Sequence, residues 1–262
     1  MVNKLMNKII RKDNLPKAAL DFIVSMLLYT LGQLPLLINN SWRSSMITIS
    51  LTFLELMLGG LVIVMIWKIY MTAGYSHHNK WPIKTYLYNV IIGYLSLNTI
   101  NLSLGAFQSK ITENQQTVIT GLHSSSLPLY FIWLVFMAPI IEELIFRGIL
   151  MDFCFKKQAI ISASMTSGIV FGLFHGYSNL AGLLTYSGMG LVFALFYRWT
   201  GKLSVVILIH GLNNLIVFFE IYLLPDFEPS LLWLLTINIS LIIGLIVLKN
   251  SYHHYHNVKT NF

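Results

Sequence analysis

"IIEELIFRGIL", residues 140–150, lies in an apolar run over 130–151 that is long enough to cross a bilayer, yet it carries Glu142, Glu143 and Arg147. A charged side chain at mid-membrane costs roughly 2.5–3.5 kcal/mol on insertion scales. Three such groups in so short a stretch need a compensating partner or a use. They also decide how the rest of the chain is read.

The surroundings are those of a membrane protein. The chain has 262 residues, of which 56% are hydrophobic and 10% charged, with a mean hydropathy of +0.69. Soluble domains carry about 25% charged residues. A spanning helix needs about 20 mostly apolar residues. Eight segments meet that length: 18–38, 46–67, 84–105, 130–151, 159–177, 180–198, 203–223 and 231–248. The expectation is an all-α polytopic protein of about eight transmembrane helices, one integral membrane domain over 1–262, with the site inside the bundle. The polar stretch 106–128, "AFQSKITENQQTVITGLHSSSLP", reads as an exposed loop.

The formal charge of +7 could point to nucleic acid in a soluble chain. Here its placement points to the lipid bilayer and to no nucleic-acid partner, because Lys and Arg collect in cytoplasmic loops. With both termini cytoplasmic, only Arg43 and Lys110 of the 17 basic residues fall on the outer side. The start, "MVNKLMNKIIRKDNLPK", reads as a retained cytoplasmic tail, since no small-residue cleavage site follows the first apolar run. The single cysteine, Cys154, permits no disulfide within the chain. Trp42, Trp67, Trp81 and Trp199 fall near span ends, as an aromatic belt requires.

Glu142 and Glu143 are neighbours and point about 100° apart on a helix. Arg147 follows Glu143 by four residues, the spacing of an intrahelical ion pair. Glu143 is then neutralised by Arg147, and Glu142 is left for another partner. The plain alternative is a structural ion cluster. "FGLFH" places Phe171 one turn before His175, and "HGLNN" places His210 and Asn214 on one face of the seventh span. At 1.5 Å per residue, Glu142, His210 and Asn214 fall near mid-membrane. His175 falls too far out if its span starts at 159, so the reading moves that span about four residues later, taking in "GYSN" and shortening the next. Gly188 and Gly190 there permit close packing.

These groups fit hydrolysis. A carboxylate and an imidazole can remove a proton from water. A second imidazole and an amide can stabilise the oxyanion that follows. Two histidines and a glutamate, His175, His210 and Glu142, are also a zinc ligand set. No HExxH pattern supports the metal directly.

Glu-Glu-x-x-x-Arg at 142–147, Phe-x-x-x-His at 171–175 and His-x-x-x-Asn at 210–214, in that order on separate helices, resemble the three motifs of the CPBP family of CAAX proteases and bacteriocin-processing proteins. The resemblance covers about 130–218. It implies an eight-helix intramembrane endopeptidase in which Glu142 activates water with His175. His210 and Asn214 would form the oxyanion hole, and Glu143, Arg147 and Phe171 would support the site. It implies no cofactor, with Zn2+ as the alternative, and a peptide or protein substrate in or at the membrane. A bacteriocin self-immunity or scaffold protein without catalysis competes with this reading. So does a transporter relaying protons through Glu55, Glu142 and the histidines. Glu55 could line the cavity or pair with a polar neighbour, and Asp21 is expected to reach the interface. The tract with His253, His254 and His256 is expected to be a solvated tail. The sequence sets no oligomeric state.

Overall fold

The computed structural model describes residues 15–33, 45–71, 81–105, 111–124, 127–175 and 179–223, with scattered residues between 233 and 247. The described residues fold as helices: α1 (Leu15–Gly32), α2 (Ser45–Met71), α3 (Ile83–Gly105), α4 (Glu113–Ser124), α5 (Leu127–Cys154), α6 (Ile160–His175), α7 (Leu180–Thr200) and α8 (Leu203–Leu223). The all-α expectation holds. Five of these, α1, α2, α5, α7 and α8, are long and apolar enough to cross a membrane. Helix α6 is apolar but shorter, and the protein is a multi-pass membrane protein. The expected eighth span, 231–248, lies largely outside the described residues, although Trp233, Ile237 and Gly244 are helical. Trp42 and the histidine tract also lie outside them.

Two expectations are corrected. The stretch taken as an exposed loop contains α4, with Thr112 and Leu122 buried. Its start is a capping box. Thr112 N–H donates to Gln115 Oε1 at 2.9 Å, and Gln115 N–H donates to Thr112 Oγ1 at 3.2 Å, so two orphan donors are satisfied reciprocally. The later start assigned to the fifth span is also wrong. Helix α6 begins at Ile160 and ends at His175. Its 16 residues rise roughly 24 Å, less than the ~30 Å hydrocarbon core, so its last residue stays at membrane depth. A short helix, rather than a shifted one, resolves the depth conflict at His175.

Helix α5 is the most buried span and is not a regular helix. Trp133–Met137 and Leu144–Met151 are π-helical, on either side of a short α segment, Ala138–Glu143. The π-helix is rare and marks functional sites. Pro139 has no N–H to give, and in the π register its bond would have gone to Leu134. The Leu134 carbonyl instead accepts Asn214 Nδ2 of α8 at 2.9 Å. Gly211, one turn earlier on α8, lets that helix approach the neighbouring Val135 carbonyl, which a Cβ would meet at 2.9 Å.

Helices α6 and α7 pack backbone to backbone through small residues. A Cβ on Gly168 would meet the Ser187 carbonyl at 2.9 Å, and one on Gly190 would meet Phe171 Cβ at 2.8 Å. Close approach of small residues is how helices associate where lipid removes the hydrophobic drive. Gly188 faces the other way, toward Ile100 of α3. At the far end, Tyr197 donates to Asp152, and Arg198 reaches Asp152 Oδ1 at 3.2 Å and the Met151 carbonyl at 2.9 Å. These bonds clamp the end of α5 to α7.

Candidate active site

Helix α5 splits its two glutamates between two tasks, as their 100° offset implies. Glu143 and Arg147 are both fully buried, with Arg147 Nη1 3.1 Å from Glu143 Oε1. Arg147 Nη2 donates to the Gly190 carbonyl of α7 at 2.8 Å. The guanidinium also lies over Phe171 of α6 at 4.9 Å and Phe193 of α7 at 5.1 Å. One cation therefore ties three helices, and its attraction to the ring faces is strengthened by desolvation. His210 of α8 joins the same cluster, with Nδ1 2.9 Å from Glu143 Oε1.

Glu142 faces a different set. Its Oε1 accepts the Tyr29 hydroxyl of α1 at 2.7 Å. Its Oε2 lies 3.2 Å from His175 Nε2 and 3.8 Å from His210 Nε2. No group among the described residues donates to Oε2 with hydrogen-bond geometry. The structure brings together Glu142, Glu143, Arg147, Phe171, His175 and His210 from three separated motifs. Asn214 sits one turn above His210 on the same cavity.

Each imidazole has a fixed orientation. His175 Nδ1 lies 2.9 Å from the Phe171 carbonyl, and a carbonyl only accepts, so Nδ1 carries the proton. In the neutral ring Nε2 is then a lone pair aimed at the Glu142 carboxylate. Two bases thus face one point. The His175 ring is held between Phe171 at 4.1 Å and Tyr186 at 5.5 Å. His210 stacks on Phe193 at 4.8 Å, and its Nδ1 donates to Glu143. Glu142, Glu143 and Arg147 together carry one excess negative charge, which a single imidazolium would balance.

Glu142, Phe171, His175 and His210 form part of the wall of a cavity of about 340 Å³. Side-chain amides line its other side in a directed chain. Asn101 Nδ2 donates to Asn213 Oδ1 at 3.2 Å, Asn213 Nδ2 to Asn214 Oδ1 at 3.3 Å, and Asn214 Nδ2 to the Leu134 carbonyl. Helix α4 closes over the cavity, where Asn114 donates to the Tyr186 hydroxyl at 3.1 Å. The residues missed from the sequence are Tyr29, Tyr186, Asn101 and Asn213. The Thr112–Gln115 capping-box pattern could have revealed α4. Nothing in the apolar pattern around Tyr29 marks it out from a packing residue.

Glu55 and Asp21 depart from expectation. Glu55 is fully buried, does not line the cavity, and neither of its oxygens meets a hydrogen-bond donor among the described residues. Asp21 is half-buried, and its Oδ2 is enclosed without a donor among them.

The zinc alternative can be tested on the donor set. Glu142, His175 and His210 converge, but no group of three His, Cys, Asp or Glu side chains among the described residues is arranged to hold a metal ion.

Residues 124–216 match the family described as type II CAAX prenyl endopeptidase Rce1-like. Over 106 residues the chain is 33% identical to YdiL of Bacillus subtilis (strain 168), a candidate membrane peptidase; this covers 40% of the chain and 42% of that protein. It is 31% identical over 102 residues to the membrane-embedded CAAX protease MroQ of Staphylococcus aureus (strain USA300), covering 36% of the chain and 40% of MroQ. The match spans about two fifths of each curated relative's length. No solved structure matches the chain significantly. The matched segment begins just before α5 and ends just after Asn214, so it contains all three motifs that meet at the cavity. Over that segment, the chain is similar to the membrane CAAX proteases.

Proposed function

We propose that the protein is an intramembrane endopeptidase that hydrolyses a peptide bond of a peptide or protein delivered to the membrane. The observation that carries this is the pairing of Glu142 Oε2 with His175 Nε2 at 3.2 Å on a cavity wall, each an acceptor facing the other. One water can donate a hydrogen bond to each of them and keep a lone pair for a carbonyl carbon. As water attacks, its proton passes to this pair, and the carbonyl oxygen becomes an oxyanion.

Donors for that oxyanion stand on α8. His210 turns Nε2 toward the cavity while Nδ1 is held by Glu143, and a proton on Nε2 would make it a donor to the oxyanion. Asn214 uses one amide hydrogen on Leu134, and a primary amide has a second. The proton held by the Glu142–His175 pair then passes to the leaving nitrogen as the C–N bond breaks. The bias of the basic residues supports a topology with both termini in the cytoplasm. A proton-relay transporter is disfavoured because Glu55 lies off the cavity.

The test is cleavage of a candidate peptide in liposomes. Glu142→Gln keeps the shape and removes the base, so turnover falls about 10²–10⁴-fold while the protein still folds. His175→Ala is similarly severe. A Glu142→Gln protein that cleaves nothing and still gives the full cellular phenotype would show that the cell uses a non-catalytic scaffold or immunity protein. Cleavage at the normal rate would remove Glu142 from the chemistry.

A further inference from the structure

We infer that Tyr29 is a positioning residue of the site: its hydroxyl holds Glu142 Oε1 so that Oε2 faces the two imidazoles. The inference rests on reading Glu142 as the base. Tyr29 belongs to α1, well outside the segment that matches the family, 124–216.

The geometry is specific. The hydroxyl donates to Oε1 at 2.7 Å, a length typical of an O–H donor on a charged acceptor. The Tyr29 ring is itself fixed, stacked on Trp133 of α5 at 6.4 Å with 18° between planes. Gln33, just past the end of α1, lines the same cavity. A phenol is rigid beyond two side-chain torsions, so a docked ring delivers its hydroxyl to one point.

Glu142 needs such an anchor. The last torsion of a glutamate is broad and roughly two-fold, so the carboxylate does not choose which oxygen faces a neighbour. Neither Arg147 of α5 nor His210 Nδ1 of α8 makes that choice, because both are taken by Glu143. On the other side, His175 and His210 present Nε2 atoms to Oε2 alone. Tyr29 occupies one oxygen and leaves the other for water. Helix α1 therefore completes a site whose remaining side chains come from α5, α6 and α8.

The experiment uses the full chain in liposomes with a cleavable peptide, and reads kcat and KM per folded molecule. Tyr29→Phe keeps the stack on Trp133 and removes only the hydroxyl. The expected result is a fall in kcat of roughly 10–100-fold, the worth of a hydrogen bond to a charged group, with KM and melting temperature unchanged. In a Glu142→Asp background, whose shorter carboxylate does not reach the hydroxyl, Tyr29→Phe is expected to cost less than about twofold, since uncoupled changes no longer interact. Unchanged kcat in Tyr29→Phe overturns the inference. So does an equal loss in both backgrounds, or a loss of folded yield with kcat per folded molecule intact, which makes Tyr29 a packing residue. A Glu142→Gln protein that still cleaves normally refutes the functional reading instead, and so the two failures are distinct.

Discussion

Glu143 Oε1 receives two donors at once: Arg147 Nη1 at 3.1 Å and His210 Nδ1 at 2.9 Å. The first contact holds the bundle together, and the second orients an imidazole at the cavity. Removing Arg147 leaves the carboxylate buried without its cation, which costs about 3–5 kcal/mol. Arg147→Ala is expected to lower both folded yield and melting temperature, measured in detergent, along with activity. Normal yield and melting would end its supporting role. Glu143→Gln is expected to lose activity by a larger factor than it loses folded protein, because a neutral amide still packs but holds His210 Nδ1 more weakly than a carboxylate does.

Asn214 and Pro139 form a pair across α5 and α8. Asn214→Ala removes a donor from a buried carbonyl, costing about 1–3 kcal/mol of stability. It also removes one of two oxyanion donors, about 10²–10³-fold in turnover. Pro139→Ala works from the other side: it supplies an N–H that competes for the carbonyl holding Asn214. Turnover is expected to fall while melting temperature holds or rises. Equal activity in Pro139→Ala would show that the prolyl gap does not set the position of Asn214.

Metal dependence gives a separate outcome. With Glu142 and His175 as the bases, purified protein is expected to hold no stoichiometric metal and to keep cleaving after chelation. Stoichiometric zinc, with activity lost on chelation and restored by zinc, would instead assign Glu142, His175 and His210 as ligands.

The legible part of this molecule is the part where a cost shows. Charges at 142, 143 and 147 are costly inside an apolar run, so they stand out, and the histidines of α6 and α8 do so for the same reason. The helices themselves follow from apolar length. Helix α4 did not stand out, because it is short and mostly polar, and its capping box is the clearest mark of its start. Tyr29 did not either, because an aromatic in an apolar span carries no cost until its hydroxyl finds a carboxylate. The start of α6 was misplaced because the span was shifted to bring His175 to mid-membrane depth, whereas the helix begins at Ile160 and stops at His175.

That early stop makes bilayer thickness a variable of the chemistry. A helix shorter than the hydrocarbon core is accommodated by local thinning, at a cost of fractions of a kcal/mol per Å. A span of that length would draw the lipid beside α6 inward near His175, which lines the polar cavity. Long, ordered acyl chains resist that compression and penalise the dimple, while short or disordered chains tolerate it. Membranes of different lipid composition would then present the same folded protein with different access to its own site. The protein's distribution among lipid domains becomes a property written into the length of one helix.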